Sequence, residues 1–133
     1  MSDILVVEDN KADEVFITRA FAKRVPDISI TVVRNGADAL DYLETHPLPK
    51  VILTDLKMPR VDGRQLLKRI KQSAKTRHIP TIVFSTSDDF DDVQSCYAQH
   101  ANAYMTKPHS PKGYEKVAQS LADYWLAQTV LAQ

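Results

Sequence analysis

Apolar residues in this chain form short continuous runs, which alternate with longer segments in which apolar positions recur every three or four residues. A short continuous run is typical of a strand buried on both faces, and the wider spacing is typical of a helix with one face toward a core. The pattern repeats as five strand–helix units. The predicted strands are residues 4–7, 28–33, 51–53, 81–84 and about 103–106.

Turn residues and prolines limit the predicted helices. The first helix should end before Pro26, and the second should begin at the turn of Asn35 and Gly36 and stop before Pro47. A fourth helix has an acidic start within residues 88–92, and a fifth runs from near Pro111 through Trp125. The apolar stripes of the first three helices are Val15, Phe16 or Ile17, Ala20 and Phe21; Ala39, Leu40 and Leu43; and Leu66, Leu67 and Ile70.

Strands that are apolar throughout imply a parallel sheet covered by helices on both faces. Five such units predict an α/β fold of the flavodoxin-like, doubly wound (βα)5 type, with strand order 2-1-3-4-5. In this order the direction of winding reverses between strands one and three. A functional site is therefore expected at the carboxyl ends of those two strands.

Length and charge restrict the possible functions. The 133 residues are enough for one domain, and Lys and Arg together number 17, as do Asp and Glu, so the overall charge does not favour nucleic acid. The single Cys96 excludes an internal disulfide. With no apolar run long enough to cross a membrane and no signal-peptide pattern, we expect a soluble, cytoplasmic protein.

Carboxylates follow both strands at the predicted switch point. Glu8 and Asp9 end the first strand, and Asp55 follows the third, so three carboxylates should meet at one edge of the sheet. Carboxylates so close repel one another unless a cation neutralises them. Because a few carboxylates with water in the remaining positions suit Mg²⁺, the sequence predicts a magnesium site there.

Two further groups should reach the same edge. Ser85 ends the fourth strand, with Thr86 beside it, and Lys107 follows the fifth. An aspartate can accept a phosphoryl group if a cation and a lysine shield the incoming charge, because phosphoryl transfer depends mainly on positioning and electrostatics. The pattern predicts a phosphoryl site with Asp55 as its acceptor. Taken singly, Asp9 could equally well cap the following helix.

These motifs resemble the receiver domain of two-component response regulators (CheY-like), over nearly the whole chain. The matching residues are Glu8-Asp9, Thr54-Asp55-Leu56-Lys57-Met58-Pro59 with Asp62-Gly63, Ser85 and Lys107-Pro108. The resemblance implies one receiver domain over residues 1–133, with an extended C-terminal helix. It also implies a phosphoacceptor (Asp55), metal ligands (Glu8, Asp9, Asp55 and the Lys57 backbone carbonyl), a charge sensor (Lys107), a switch pair (Ser85 and Tyr104) and a cis Lys107–Pro108 bond.

A narrower resemblance concerns the segments 85–87, 96–104 and 124–126. They are similar to single-domain regulators that partner phytochrome-type histidine kinases. His100 stands where receivers more often have glycine, which fits that subgroup. The expected partners are therefore a histidine kinase, possibly a phytochrome, and either an effector or a histidine phosphotransfer protein that takes the phosphoryl group onward.

Other functions are possible on the same fold. Aspartyl-nucleophile hydrolases usually carry a second aspartate two positions after the first, where this chain has Lys57. A nucleotide or flavin binder needs a phosphate-cradling loop after the first strand, but this turn contains Asp9 and Asp13. We therefore expect a signalling protein that is not an enzyme. A phosphorylation-independent adaptor stays open as the alternative.

The final helix has more apolar residues than one stripe against a sheet requires. They are Val117, Leu121, Tyr124, Trp125, Leu126, Val130 and Leu131. Aromatic residues are enriched at the centres of interfaces. We therefore predict a homodimer through this helix and the neighbouring face of helix four and strand five, with Tyr124, Trp125 and Leu126 in the interface. The other reading is that the end of the helix frays or folds back.

Overall fold

A computed structural model describes residues 2–132 as one parallel sheet of five strands in the order β2-β1-β3-β4-β5. The strands are β1 (Ile4–Val7), β2 (Ile30–Val33), β3 (Val51–Thr54), β4 (Thr81–Ser85) and β5 (Ala103–Thr106). The helices are α1 (Lys11–Arg24), α2 (Gly36–Thr45), α3 (Gly63–Gln72), α4 (Phe90–Ala98) and α5 (Pro111–Leu121). The predicted fold class and strand order are confirmed.

The sheet is buried on both faces, as the apolar strands predicted. Ile4 and Val6 point into a cluster with Ile17 and Phe21 of α1 and with Leu121 of α5. The alternate residues of the same strand pack on the opposite face, in a cluster with side chains of α2 and α3. Because successive side chains of a strand point to opposite faces, a strand covered on both sides has to be apolar at every position.

Strand register brings the acidic residues to one edge. Val7 of β1 is aligned with Val33 of β2 and with Thr54 of β3. The pairing of β1 with β3 continues one residue beyond Thr54, because the Asp55 amide donates to the Val7 carbonyl at 2.9 Å. Glu8 and Asp55 therefore leave the sheet side by side.

The packing of helix α1 decides between the two residues, Phe16 and Ile17, that the sequence left open. Ile17, Ala20 and Phe21 are buried, whereas Phe16 is 40% exposed and stacks on Tyr114 of α5 with ring centroids 5.3 Å apart. The stripe therefore passes through Ile17. Phe16 covers the seam between α1 and α5.

The end of the chain departs from a regular α-helix. After Leu121 the helix continues as a π-helical segment, Ala122–Gln128, which closes with a hydrogen bond from the Thr129 amide to the Tyr124 carbonyl at 2.8 Å. Trp125 and Leu126 are partly buried against the cluster between the sheet, α1 and α5. Tyr124 is 53% exposed. The chain itself thus covers part of the apolar surface that the sequence assigned to a partner.

One further feature concerns the peptide bonds. Every peptide bond in the described part of the chain is trans, so the expected cis bond between Lys107 and Pro108 is wrong for this structure. For X–Pro bonds the trans form is the default, favoured by about 0.5–1 kcal/mol.

Among residues 2–132 no helix is both long and apolar enough to span a bilayer.

Candidate functional site

The predicted carboxylates meet at the carboxyl edge of the sheet. One oxygen from each of Glu8, Asp9 and Asp55 lies within 4.8 Å of the other two. Glu8 is buried, Asp55 is partly buried and Asp9 is exposed. Such a group of hard oxygen donors fits a divalent cation, and the exposed side at Asp9 gives water access to the remaining positions.

Lys107 lies beneath this group and is its main source of positive charge. The Lys107 Nζ atom is 2.7 Å from Glu8 Oε1, 2.7 Å from Asp13 Oδ2 and 3.1 Å from Asp55 Oδ2. Its side chain is only 3% exposed. The backbone fixes this position, because the Lys107 amide donates to the Ser85 carbonyl at 2.7 Å. Each of the three N–H bonds of the ammonium can therefore point to a different carboxylate.

The pKa values of this cluster are far from ordinary. Burial raises the pKa of Glu8 to about 7; the hydrogen bond from Lys107 opposes that shift, and the charge of Asp55 adds to it. Burial alone would lower the pKa of Lys107, but hydrogen bonds to Asp13 and Glu8 and the charge of Asp55 raise it above its usual range. Lys107 therefore stays charged, and the cluster carries more carboxylates than this one ammonium neutralises.

Asp55 is held by its immediate surroundings. Its Oδ1 accepts a hydrogen bond from the Leu56 amide at 2.7 Å, while Oδ2 accepts from Lys107. The carboxylate opens onto a cleft whose other walls include Lys57, Ser85 and Thr86. Both carboxylate oxygens are thus oriented, and the side chain is accessible from solvent.

Ser85 and Tyr104 are connected through the loop after β4. The Ser85 hydroxyl, on a residue that is 3% exposed, accepts from the Ser87 amide at 3.2 Å, and the Tyr104 hydroxyl donates to the Ser87 carbonyl at 2.7 Å. The Tyr104 ring packs partly buried against the cluster that includes Cys96. Burial raises the pKa of Tyr104, against the hydrogen bonds to Ser85 and Ser87.

The same loop is tied to α3 and α4. Asp92 of α4 accepts from the Ser87 hydroxyl at 2.6 Å, and it forms an ion pair with Arg64 of α3. Arg64 also donates to the Ser95 hydroxyl at 2.9 Å. A displacement of the loop after β4 would therefore be transmitted to the contact between α3 and α4.

Sequence reasoning missed one residue of the site. From the sequence, Asp13 counted only as an acidic residue of the turn after the first strand, but its carboxylate contacts Lys107 as closely as Glu8 does. The available signal was its position: Asp13 lies in the first turn of α1, which begins two residues after Asp9, so it stays near the same edge of the sheet.

The shifted pKa of Glu8 predicts a pH-dependent stability. A carboxyl group whose pKa rises on folding from 4.5 to about 7 contributes stability that is complete below pH 4.5 and is lost as the pH rises through 7. Without metal, the free energy of unfolding should fall by about 2 kcal/mol over that range. Glu8→Gln, which cannot ionise, should lack this loss.

Urea unfolding with a chelator at pH 5 and pH 8 measures this difference. Glu44→Gln, at an exposed position on α2, is the matched control and should behave like the wild type. If Glu8→Gln lost as much stability as the wild type, the proposed ionisation of Glu8 would be wrong.

The sheet order and the group of carboxylates, lysine and serine at one edge have the arrangement that the receiver resemblance implies. Residues 4–119 match the model of the response regulator receiver domain. The chain therefore belongs to the response regulator receiver domain family, a class of signalling proteins that interact with histidine kinases.

Particular relatives extend this finding. The probable methanogenesis regulatory protein FilR2 of Methanothrix harundinacea is 40% identical over 92% of this chain and 83% of that protein. The response regulator Rcp1 of Synechocystis is 36% identical over 96% and 91%, and the structure of its Mn²⁺-bound form superposes with a TM-score of 0.88 over 98% of both chains. Phosphorylated RcpA, a cyanobacterial phytochrome response regulator, gives a TM-score of 0.91 at 34% identity, over 98% of this chain and 97% of that one.

Proposed function

We propose that this response regulator accepts a phosphoryl group from a histidine kinase on Asp55, with Mg²⁺ bound by Glu8, Asp9, Asp55 and the backbone carbonyl of Lys57. The observation that carries the proposal is the Asp55 carboxylate, which faces the cleft 3.1 Å from the Lys107 ammonium and beside two further carboxylates. A divalent cation at this acidic group fits the donor set of three carboxylates.

The reaction that this geometry supports is a transfer between two nucleophiles. A phosphohistidine of the kinase loses its P–N bond, and an Asp55 oxygen forms the new P–O bond. The electron pair of the broken bond stays on the imidazole, which takes up a proton. Lys107 stabilises the negative charge on the phosphoryl oxygens, and bound Mg²⁺ would supply the remaining positive charge.

The contacts of Ser85 support a role as the switch. Its hydroxyl lines the same cleft as Asp55 and also contacts the loop that holds the Tyr104 hydroxyl. A phosphoryl group that drew the Ser85 hydroxyl toward itself would disturb that contact and, through Ser87 and Asp92, the start of α4. The altered surface would then be recognised by an effector, or the phosphoryl group would pass to a histidine phosphotransfer protein.

The acceptor is tested with a small phosphoryl donor. The protein is incubated with acetyl phosphate and Mg²⁺ and its intact mass is measured. We expect a gain of one phosphoryl group that requires Mg²⁺, is absent from Asp55→Asn and is retained by Asp41→Asn, an exposed carboxylate on α2.

Two results would contradict this proposal. An equal mass gain in Asp55→Asn would place the acceptor elsewhere. No gain with acetyl phosphate or with a histidine kinase would favour the phosphorylation-independent adaptor.

The kinase partner that we propose is of the phytochrome type, in the cytoplasm. The support is the similarity to Rcp1 and to RcpA, the second of which is described as a phytochrome response regulator. FilR2, a probable methanogenesis regulatory protein, is similar to this chain to a comparable degree, so the kinase has to be identified by a direct measurement of phosphoryl transfer. Candidate light-sensing kinases with ATP, in darkness and under red light, should differ in the phosphoryl transfer they support, and equal transfer under both conditions would reject a light-controlled partner.

We also propose a homodimer through α5 and the adjoining face of α4 and β5. The support is the exposure of large side chains on α4 and on the π-helical segment that continues α5: Phe90 is 72% exposed, Tyr97 46% and Tyr124 53%. Since Trp125 and Leu126 are partly buried within the chain, Tyr124 is the better residue to test. Sedimentation at tens of micromolar should give a dimer for the wild type and a monomer for Tyr124→Glu, whereas a monomeric wild type would exclude the proposal.

A further inference from the structure

Asp13 differs from the other two carboxylates that contact Lys107. Glu8 and Asp55 also belong to the group of oxygens that fits a divalent cation, whereas Asp13 does not. With metal bound and Asp55 phosphorylated, Glu8 would share its charge with the cation and an oxygen of Asp55 would carry phosphorus. Asp13 is then the one carboxylate among these three whose charge is committed to Lys107.

Asp13 is also held from two sides. The Asp13 amide donates to the side-chain oxygen of Asn10 at 3.0 Å, which fixes the first turn of α1. Its Oδ1 atom lies 3.5 Å from the hydroxyl of Tyr114, a residue of α5 that is only 4% exposed. The oxygen that contacts Lys107 is the other one, Oδ2. The carboxylate is therefore placed by α1 and bordered by α5, while its functional contact is to the loop after β5.

The consequence concerns the direction of the Lys107 ammonium. A lysine side chain has four rotatable methylene links, and a charged nitrogen moves toward whichever anions surround it. With Asp13 in place, the nitrogen is drawn toward α1 and its remaining N–H bonds face Glu8 and Asp55. Without this charge, the ammonium would lose the anion that holds it on the side of α1, and it would be less well directed at Asp55.

We infer that Asp13 is a positioning residue for phosphoryl transfer, which holds Lys107 toward Asp55 when Glu8 is occupied by the metal. The inference rests on the proposed function of Asp55. It assigns to the start of α1 a part in the rate of phosphorylation and no part in metal binding. Loss of a directed charge contact of this kind should slow the transfer by about tenfold.

A matched control separates this role from the role of an acidic residue at a helix start. Asp38 occupies the same place in α2 that Asp13 has in α1: its amide donates to the side chain of an N-cap asparagine, Asn35, at 2.9 Å. Its carboxylate contacts Asn35 and Arg60, and Lys107 has its ion pairs with Glu8, Asp13 and Asp55 instead. Asp38→Asn therefore removes the same helix-start charge and leaves Lys107 untouched.

The experiment measures phosphorylation of the full chain by acetyl phosphate over a range of donor and Mg²⁺ concentrations. For Asp13→Asn we expect a rate constant at saturating donor about tenfold below that of the wild type, with Mg²⁺ affinity changed by less than about twofold. Asp38→Asn should match the wild type in both. Asp13→Glu, which retains the charge, should recover part of the lost rate.

The other outcomes are decisive. If the wild type is phosphorylated and Asp13→Asn reacts at the same rate, the inference is wrong although the proposed function stands. A faster Asp13→Asn would show that Asp13 competes with the phosphoryl group for Lys107. A large loss of Mg²⁺ affinity would make Asp13 part of the metal site, and a wild type that takes no phosphoryl group would overturn the proposed function instead.

Discussion

Lys107→Met should destabilise the metal-free protein by about 3 kcal/mol at neutral pH and slow phosphorylation by about a hundredfold. The side chain is 3% exposed and lies within hydrogen-bonding distance of Glu8, Asp13 and Asp55. Methionine fills a similar volume but leaves these carboxylates without their cation. The stability loss follows from uncompensated buried charge, and the rate loss follows from the missing shield for the phosphoryl oxygens.

Chemical unfolding and the rate of acetyl phosphate transfer measure the two effects separately. Lys112→Met, at an exposed position of α5, is the control and should change neither. Transfer is compared under conditions in which circular dichroism shows both proteins folded, so that the rate is not lowered by unfolding. A folded Lys107→Met that accepted phosphoryl groups at the wild-type rate would remove Lys107 from the reaction.

Gly63→Ala should cost about 3 kcal/mol of stability, through overpacking against backbone atoms that cannot move independently. A Cβ atom at Gly63 would lie 2.3 Å from the Asp55 carbonyl oxygen and 2.7 Å from the Leu56 Cα atom. Replacement of glycine by alanine within a helix ordinarily stabilises by roughly 0.5–1 kcal/mol, so the sign of the effect identifies the collision. Because the collision is with Asp55 itself, the acceptor should also be displaced.

Thermal and urea unfolding of Gly63→Ala, with Lys68→Ala on the exposed side of α3 as the control, measure the effect. We expect a large loss for the first protein and almost none for the second. A stabilised Gly63→Ala would mean that the contact between α3 and the end of β3 is looser than the structure has it.

The sequence was most informative where one physical rule determines the position of a residue. Because parallel strands in register end together, Glu8 and Asp55 could be placed beside each other from two apolar runs alone. Ser85 and Lys107 followed by the same argument. The order of the strands came from the number of units and their buried character, and it is the order observed.

Contacts between distant elements were harder to predict. Asp13 already had a local explanation at the start of α1, and nothing local indicates that Lys107 reaches it across 94 positions of sequence. Phe16 and Ile17 both fit a helical stripe, and only the packing of α5 selects Ile17 for the core. The apolar character of Trp125 and Leu126 predicts that they are buried, but it does not predict which surface covers them. Here part of that surface belongs to the same chain.

The central claim, that Asp55 is the phosphoryl acceptor, is tested most directly by chemical trapping of the acyl phosphate. Borohydride reduces an aspartyl phosphate to homoserine and leaves a free carboxylate unchanged. After phosphorylation with Mg²⁺, reduction and digestion, tandem mass spectrometry should find homoserine at position 55, and not in a sample that lacked the phosphoryl donor. Homoserine at Asp9 or Asp13, or at no position in a protein that had gained the phosphoryl mass, would contradict the assignment.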